Sequence, residues 1–105
     1  MATKILLVEG EQQVLDLLAD WLTEAGYQPF KASNAADGMK LLFEQRPDLV
    51  VADIRMPQTD GFEFCRRVRE VSNVPIMILS ALGNQSHKVK GLDIGADEHV
   101  VKPIQ

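Results

Sequence analysis

The chain has 105 residues, a formal charge of −4 and a hydrophobic fraction of 46%; this fits one domain over residues 1–105, with enough apolar material for a core that needs no staples. The acidic balance excludes the electrostatic footprint of a nucleic-acid binder, and no apolar stretch reaches the roughly 20 residues of a membrane span. The lone cysteine, Cys65, excludes an internal disulfide, suits a reducing cytoplasmic setting and reads as a small buried hydrophobe.

Along the chain, Ile5-Leu6-Leu7-Val8 is a short, unalternating apolar run, too short for a signal-peptide core and typical of a parallel strand buried on both faces. A helix follows, with Val14, Leu15, Leu18, Trp21 and Leu22 on one stripe, Gln13, Asp16, Asp20 and Glu24 opposite, and Gly26 as its stop. Gln28 to Ala32 is a weaker strand. Ser33 or Asn34 can cap a second helix carrying Met39, Leu42 and Phe43. Leu49-Val50-Val51-Ala52 is a third strand. Asp60-Gly61 opens a third helix, Asp60 as its N-cap, with Phe62, Cys65, Val68 and Val71 at helical spacing. Arg66, Arg67 and Arg69 stand beside Glu63 and Glu70 and read as a solvated helix face. Ile76-Met77-Ile78-Leu79 is the fourth strand. Ser86 can cap a fourth helix with Val89 and Leu92 inward and Gly95 at its end, and His99 to Val101 is a weaker fifth strand.

Regular strand–helix alternation predicts an α/β fold with a doubly wound five-stranded parallel sheet, flavodoxin-like, of order 2-1-3-4-5. Right-handed crossovers place the second, third and fourth helices on one face and leave the first alone on the other. A fifth helix is therefore expected after Gln105, to complete that face.

Ligands of such sheets bind at the carboxyl ends of the strands, near the switch point. Glu9, Gly10 and Glu11 follow the first strand, Asp53 the third, Ser80 the fourth and Lys102-Pro103 the fifth. Neighbouring carboxylates repel unless a cation lies between them, and oxygen ligands suit Mg²⁺. Lys102 offers a charge to an anion and Ser80 a hydroxyl, so the set suits phosphoryl transfer. Taken singly, each has a plainer reading: turn or cap for Glu9, Glu11 and Ser80, surface charge for Lys102.

Asp53-Ile54-Arg55-Met56-Pro57-Gln58-Thr59-Asp60-Gly61 strongly resembles the phosphorylation segment of two-component receiver domains. So do Ile5 to Glu9, Ser80-Ala81, and Gly95 to Pro103, in order along essentially the whole chain. Lys88 to Pro103 looks most like response regulators with a winged-helix DNA-binding output. The resemblance implies that Asp53 accepts a phosphoryl group from a sensor histidine kinase or phosphotransfer protein. It implies Mg²⁺ held by Asp53, the backbone carbonyl of Arg55 and the acidic pocket at Glu9. Lys102 would pair with the phosphoryl oxygens, through a cis bond to Pro103. Ser80 would turn inward and let the residue at His99 rotate, altering the surface of the fourth helix and fifth strand. Such a domain is not a multiple-turnover enzyme; it would control a C-terminal DNA-binding output domain outside this chain, or a homodimer through that surface, without touching DNA or membrane itself.

Two positions depart from the family pattern. Gly10 stands where a second consecutive acid is usual, which implies weakened Mg²⁺ binding and slower phosphorylation; Glu11, one residue on, is expected to face solvent. His99 stands where tyrosine or phenylalanine is usual, as a rotating ring with a pH response or as a half-buried ring with none. The alternative reading is an atypical receiver, acting by docking or dimerisation without phosphorylation. An aspartyl phosphatase is disfavoured by Arg55, which occupies its second-acid position, and a nucleotide site by the isolated Gly10.

Overall fold

The three continuous apolar runs form the inner strands of one parallel sheet in the computed structural model, which describes residues 2–53 and 61–79 in full and the backbone of 55–56, 59–60, 80 and 98–101. In chain order the elements are β1 (Lys4–Val8), α1 (Gln12–Glu24), β2 (Gln28–Ala32), α2 (Ala35–Gln45), β3 (Leu49–Asp53), β4 (Arg55–Met56), β5 (Thr59–Asp60), α3 (Gly61–Val71), β6 (Ile76–Ser80) and β7 (Glu98–Val101). The sheet order is β2-β1-β3-β6-β7 with every pairing parallel. This is the expected 2-1-3-4-5 order, interrupted in sequence by the small antiparallel pair β4–β5. The two strands with weaker signals, β2 and β7, are the edges. In β2 only Ala32 is buried, and Pro29 is tolerated because an edge strand can spare a donor.

Alternation along the strands divides the core. Leu6, Val8, Val50, Ala52, Ile76 and Ile78 point to the face covered by α2 and α3, where they meet Leu42, Phe62, Phe64, Cys65 and Val68. Ile5, Leu7 and Leu79 point to the other face and meet Leu15, Leu18 and Ala19 of α1. That second cluster is smaller, and Leu49 and Val51 at its border are only partly buried. The expected fourth helix, with Ser86, Val89, Leu92 and Gly95, lies outside the described residues.

Local chemistry ends the helices where needed. Beyond α1 the N–H of Tyr27 donates to the Leu22 carbonyl at 2.9 Å and that of Gly26 to Thr23 at 3.1 Å. With Gly26 at φ 94°, this is a glycine-terminated Schellman turn. Asn34 caps α2, its side chain accepting the Asp37 N–H at 2.8 Å. The C-terminal cap of α2 is Arg46, in the left-handed region at φ 47°. Asp60 directly precedes α3, but its side chain lies outside the described residues.

Three expected core residues are corrected. Trp21, Phe43 and Val71 are exposed, while Ala19, Gly38 and Phe64 are buried in their place. At 100° per residue, the buried positions 15, 18 and 19, with the partly buried Leu22, define the inner side of α1, and Trp21 lies at its border. On α2 the inner line runs through Ala35, Gly38 and Leu42, which turns Phe43 outward. Gly38 is needed for its small size: a Cβ there would lie 2.9 Å from Phe64 Cε1 and 3.0 Å from Val8 Cγ2.

Candidate functional site at the carboxyl edge of the sheet

Strand register sets the levels at which the site residues leave the sheet. Val8 of β1 lies opposite Ala52 of β3, so Glu9 and Asp53 emerge side by side from strands about 4.8 Å apart. Asp53 lies opposite Leu79 of β6, and Ser80 opposite Val101 of β7. Glu9 and Asp53 are only 1% and 3% exposed, the two buried polar or charged residues among the described ones.

The backbone of Glu9 extends the β1–β2 ladder, its N–H donating to Ala32 O at 3.1 Å. Its carboxylate folds over the next turn, where Oε1 accepts the Glu11 N–H at 3.2 Å. Glu11 is the N-cap residue of α1 but supplies no side-chain cap, and its side chain is exposed. Glu9 thus satisfies a donor at the entry of α1, in keeping with the plainer turn-or-cap reading of this acid, while Glu11 supplies no such cap. Gly10, between them, is partly buried and contributes no carboxylate.

Of the other expected site residues, Arg55 lies in β4, paired with Asp60. Ser80 ends β6, and His99 lies in β7 opposite Ile78. The side chains of all three, and all of Lys102 and Pro103, lie outside the described residues. The donor set fits a hard cation: two buried carboxylates at adjacent strand ends offer the oxygen ligands that Mg²⁺ prefers. Among the described residues no three His, Cys, Asp or Glu side chains form a metal-holding group. Among the described residues, no helix is long and apolar enough to cross a membrane.

A doubly wound parallel sheet with buried acids at the carboxyl ends of its two central strands defines a class of small α/β domains with their site at the switch point. The profile of the response regulator receiver domain matches residues 5–105, and the chain belongs to that family. It is similar to the transcriptional regulatory protein AfsQ1 of Streptomyces coelicolor, with 45% identity over 101 residues that are 96% of this chain and 45% of the relative. The chain thus spans a little under half the length of that relative. Its fold is similar to the BeF3-activated N-terminal receiver domain of Klebsiella pneumoniae RstA, at TM-score 0.93 and 27% identity over 98% of this chain and 88% of the other. It is also similar to the Vibrio cholerae chemotaxis protein CheY4, at TM-score 0.95 and 28% identity over 100% of this chain and 90% of the other.

Proposed function

We propose that this receiver domain accepts a phosphoryl group on Asp53 from a sensor histidine kinase or phosphotransfer protein. The observation that carries the reading is the burial of Asp53 beside Glu9 at the carboxyl edge of the switch-point strands. A carboxylate Oδ of Asp53 attacks the phosphorus of a phosphohistidine; the P–N bond breaks, the histidine nitrogen leaves and an acyl phosphate remains on Asp53. Asp53, Glu9 and the backbone carbonyl of Arg55 would hold Mg²⁺, which supplies charge neutralisation for the incoming phosphoryl oxygens. Lys102 pairs with those oxygens, and Ser80 turns toward them and releases the ring of His99. The domain is a stoichiometric acceptor that promotes its own phosphorylation and dephosphorylation, not a multiple-turnover enzyme.

The likeness to AfsQ1, together with the share of it that the chain spans, supports a role upstream of a C-terminal DNA-binding output domain, in the cytoplasm. The surface of β7 and of the fourth helix expected from the sequence would carry the signal, to that domain or to a second copy. Gly10 favours one other reading, a receiver with weakened Mg²⁺ binding that docks without phosphorylation. Intact-mass measurement after incubation with a small-molecule phosphodonor, with and without Mg²⁺, separates the two. One phosphoryl adduct on the wild type and none on Asp53→Asn supports acceptor function. No adduct on the wild type but a clear one on Gly10→Asp supports the docking reading. An adduct that persists on Asp53→Asn overturns the assignment of Asp53.

A further inference from the structure

The turn between β1 and α1 carries acids at Glu9 and Glu11, with Gly10 between them. Receiver domains bind Mg²⁺ at the acidic pocket of this sheet edge, and the chain brings two buried acids to it, Glu9 and Asp53. Glu11 is the next acid along the chain, and its backbone and side chain lie in different surroundings. The backbone N–H donates to Glu9 Oε1 at 3.2 Å in a part-buried contact. The side chain is exposed.

That side chain is committed to nothing else. Glu11 stands at the N-cap of α1, in extended backbone at φ −96° and ψ 115°, yet makes no side-chain hydrogen bond to the helix. Helix caps are normally supplied by the shorter Ser, Thr, Asp and Asn. Among the described residues the Glu11 carboxylate has neither a hydrogen bond nor an ion pair. Its Cα is bonded to the nitrogen that Glu9 holds, so the root of the side chain is pinned beside the Glu9 carboxylate.

We propose that Glu11 is a cation ligand of this domain: its carboxylate turns inward to the Mg²⁺ held by Glu9 and Asp53 and supplies the acid that Gly10 does not. The inference rests on the Mg²⁺ site of the acceptor reading. Rotation about the side-chain bonds suffices, because Glu9 already fixes the Glu11 backbone and Gly10 sets no side chain between them. Three carboxylates at one edge repel, and a cation among them reverses the sign, so cation binding and the inward turn favour each other. The added oxygen takes the place of a water in the shell of a hard cation. The bond from Glu9 to the helix entry uses the Glu11 backbone, so replacing the Glu11 side chain leaves that entry intact.

Mg²⁺ titration followed by the backbone amide resonances of Gly10, Glu11 and Asp53 tests this without any phosphodonor. Glu11→Gln keeps the size of the side chain and removes its charge; it is expected to raise the Kd for Mg²⁺ about tenfold, the lower end of what losing a metal-site contact costs. The ratio should persist in about 0.5 M KCl, where distant charges are screened. Asp20 is exposed on the same helix, about 14 Å further along its axis, and Asp20→Asn should shift Kd by less than about twofold. In a Gly10→Asp background Glu11→Gln should cost little, because position 10 then supplies the acid, and the double-mutant cycle reads that coupling. Should Glu11→Gln lack a native amide spectrum, Glu11→Ser, which offers α1 an ordinary cap, carries the same test. Wild-type affinity in Glu11→Gln, a loss that vanishes in high salt, or an equal loss in the Gly10→Asp background each overturns the proposal and leaves the cation site standing. A wild type without any Mg²⁺ response, or a response that Glu9→Gln leaves unchanged, overturns the site itself and the proposal with it.

Discussion

The carboxylate of Glu9 accepts the backbone N–H of Glu11 at 3.2 Å while being 1% exposed. One acid thus both fixes the entry of α1 and faces the site beside Asp53. Glu9→Gln keeps an acceptor at that N–H and removes the charge; Glu9→Ala removes both. Urea unfolding should find the alanine variant about 2 kcal/mol less stable than wild type, in line with a lost charge-assisted hydrogen bond. The glutamine variant should lose less, yet shed much of any Mg²⁺-induced rise in Tm. Equal stability of the two variants would deny Glu9 its role at the helix entry.

Gly10 supplies no third carboxylate to the edge occupied by Glu9 and Asp53. Gly10→Asp should lower Tm in EDTA, because another acid is added beside two buried ones. In saturating Mg²⁺ the same variant should recover and exceed the wild type. A tenfold gain in affinity corresponds to about 1.4 kcal/mol, or a Tm rise of about 6 °C for a domain of this size. Thermal scans across a Mg²⁺ titration check both halves; an unchanged Mg²⁺ response would remove Gly10 as a determinant of Mg²⁺ binding.

Gly38 sits where α2 passes against Phe64 and Val8, both buried. Alanine in a helix interior is normally favoured over glycine by about 1 kcal/mol, but overpacking a filled core costs about 1–3 kcal/mol. The added Cβ would lie 2.9 Å from a fully buried ring, so packing decides the sign. Gly38→Ala should lower the urea midpoint, with a net loss on the order of 1 kcal/mol. In a Phe64→Leu background the same change should become neutral or favourable, a coupling that a double-mutant cycle reads directly.

Asp16 of α1 accepts from Lys31 of β2 at 3.0 Å and from Gln12 at 2.8 Å. The Lys31 hydrogen bond first, and then that from Gln12, hold its carboxyl below the usual carboxylate range. With the folded value below the unfolded one, the ionised pair contributes stability above the ordinary carboxylate range. That contribution is lost as pH falls through the depressed folded value. Lys31→Met should therefore be less stable than wild type near neutrality, with the gap closing in acid. Both groups are exposed, so the gap is small and high salt should shrink it. A gap that widened toward acid would contradict the pairing.

Much of the fold was legible because its strongest signals are local. Continuous apolar runs at residues 5–8, 49–52 and 76–79 became the inner strands, and Gly26 and Asn34 became the expected helix punctuation. The misassigned residues sit where periodicity alone cannot fix a boundary. Trp21, Phe43 and Val71 fall at helical spacing, yet they lie at or beyond the edge of the inner side. Which residue faces a core depends on how the helix rolls against the sheet. The β4–β5 pair was missed because two-residue strands carry no period.

Residue order and type alone determined the α/β class, the strand order and the candidate acids after β1 and β3, since buried parallel strands and glycine or asparagine caps have local signatures. Only the tertiary structure decided that Glu9 and Asp53 share one level at the carboxyl edge, because register between β1 and β3 is set by packing across 40 intervening residues. It alone decided that Glu9 turns its carboxylate onto the Glu11 N–H, a contact that answers a part-buried donor at the helix entry. It also decided that Phe43 and Val71 stay outside the core: the inner space was already filled by Phe64, against the gap left by Gly38.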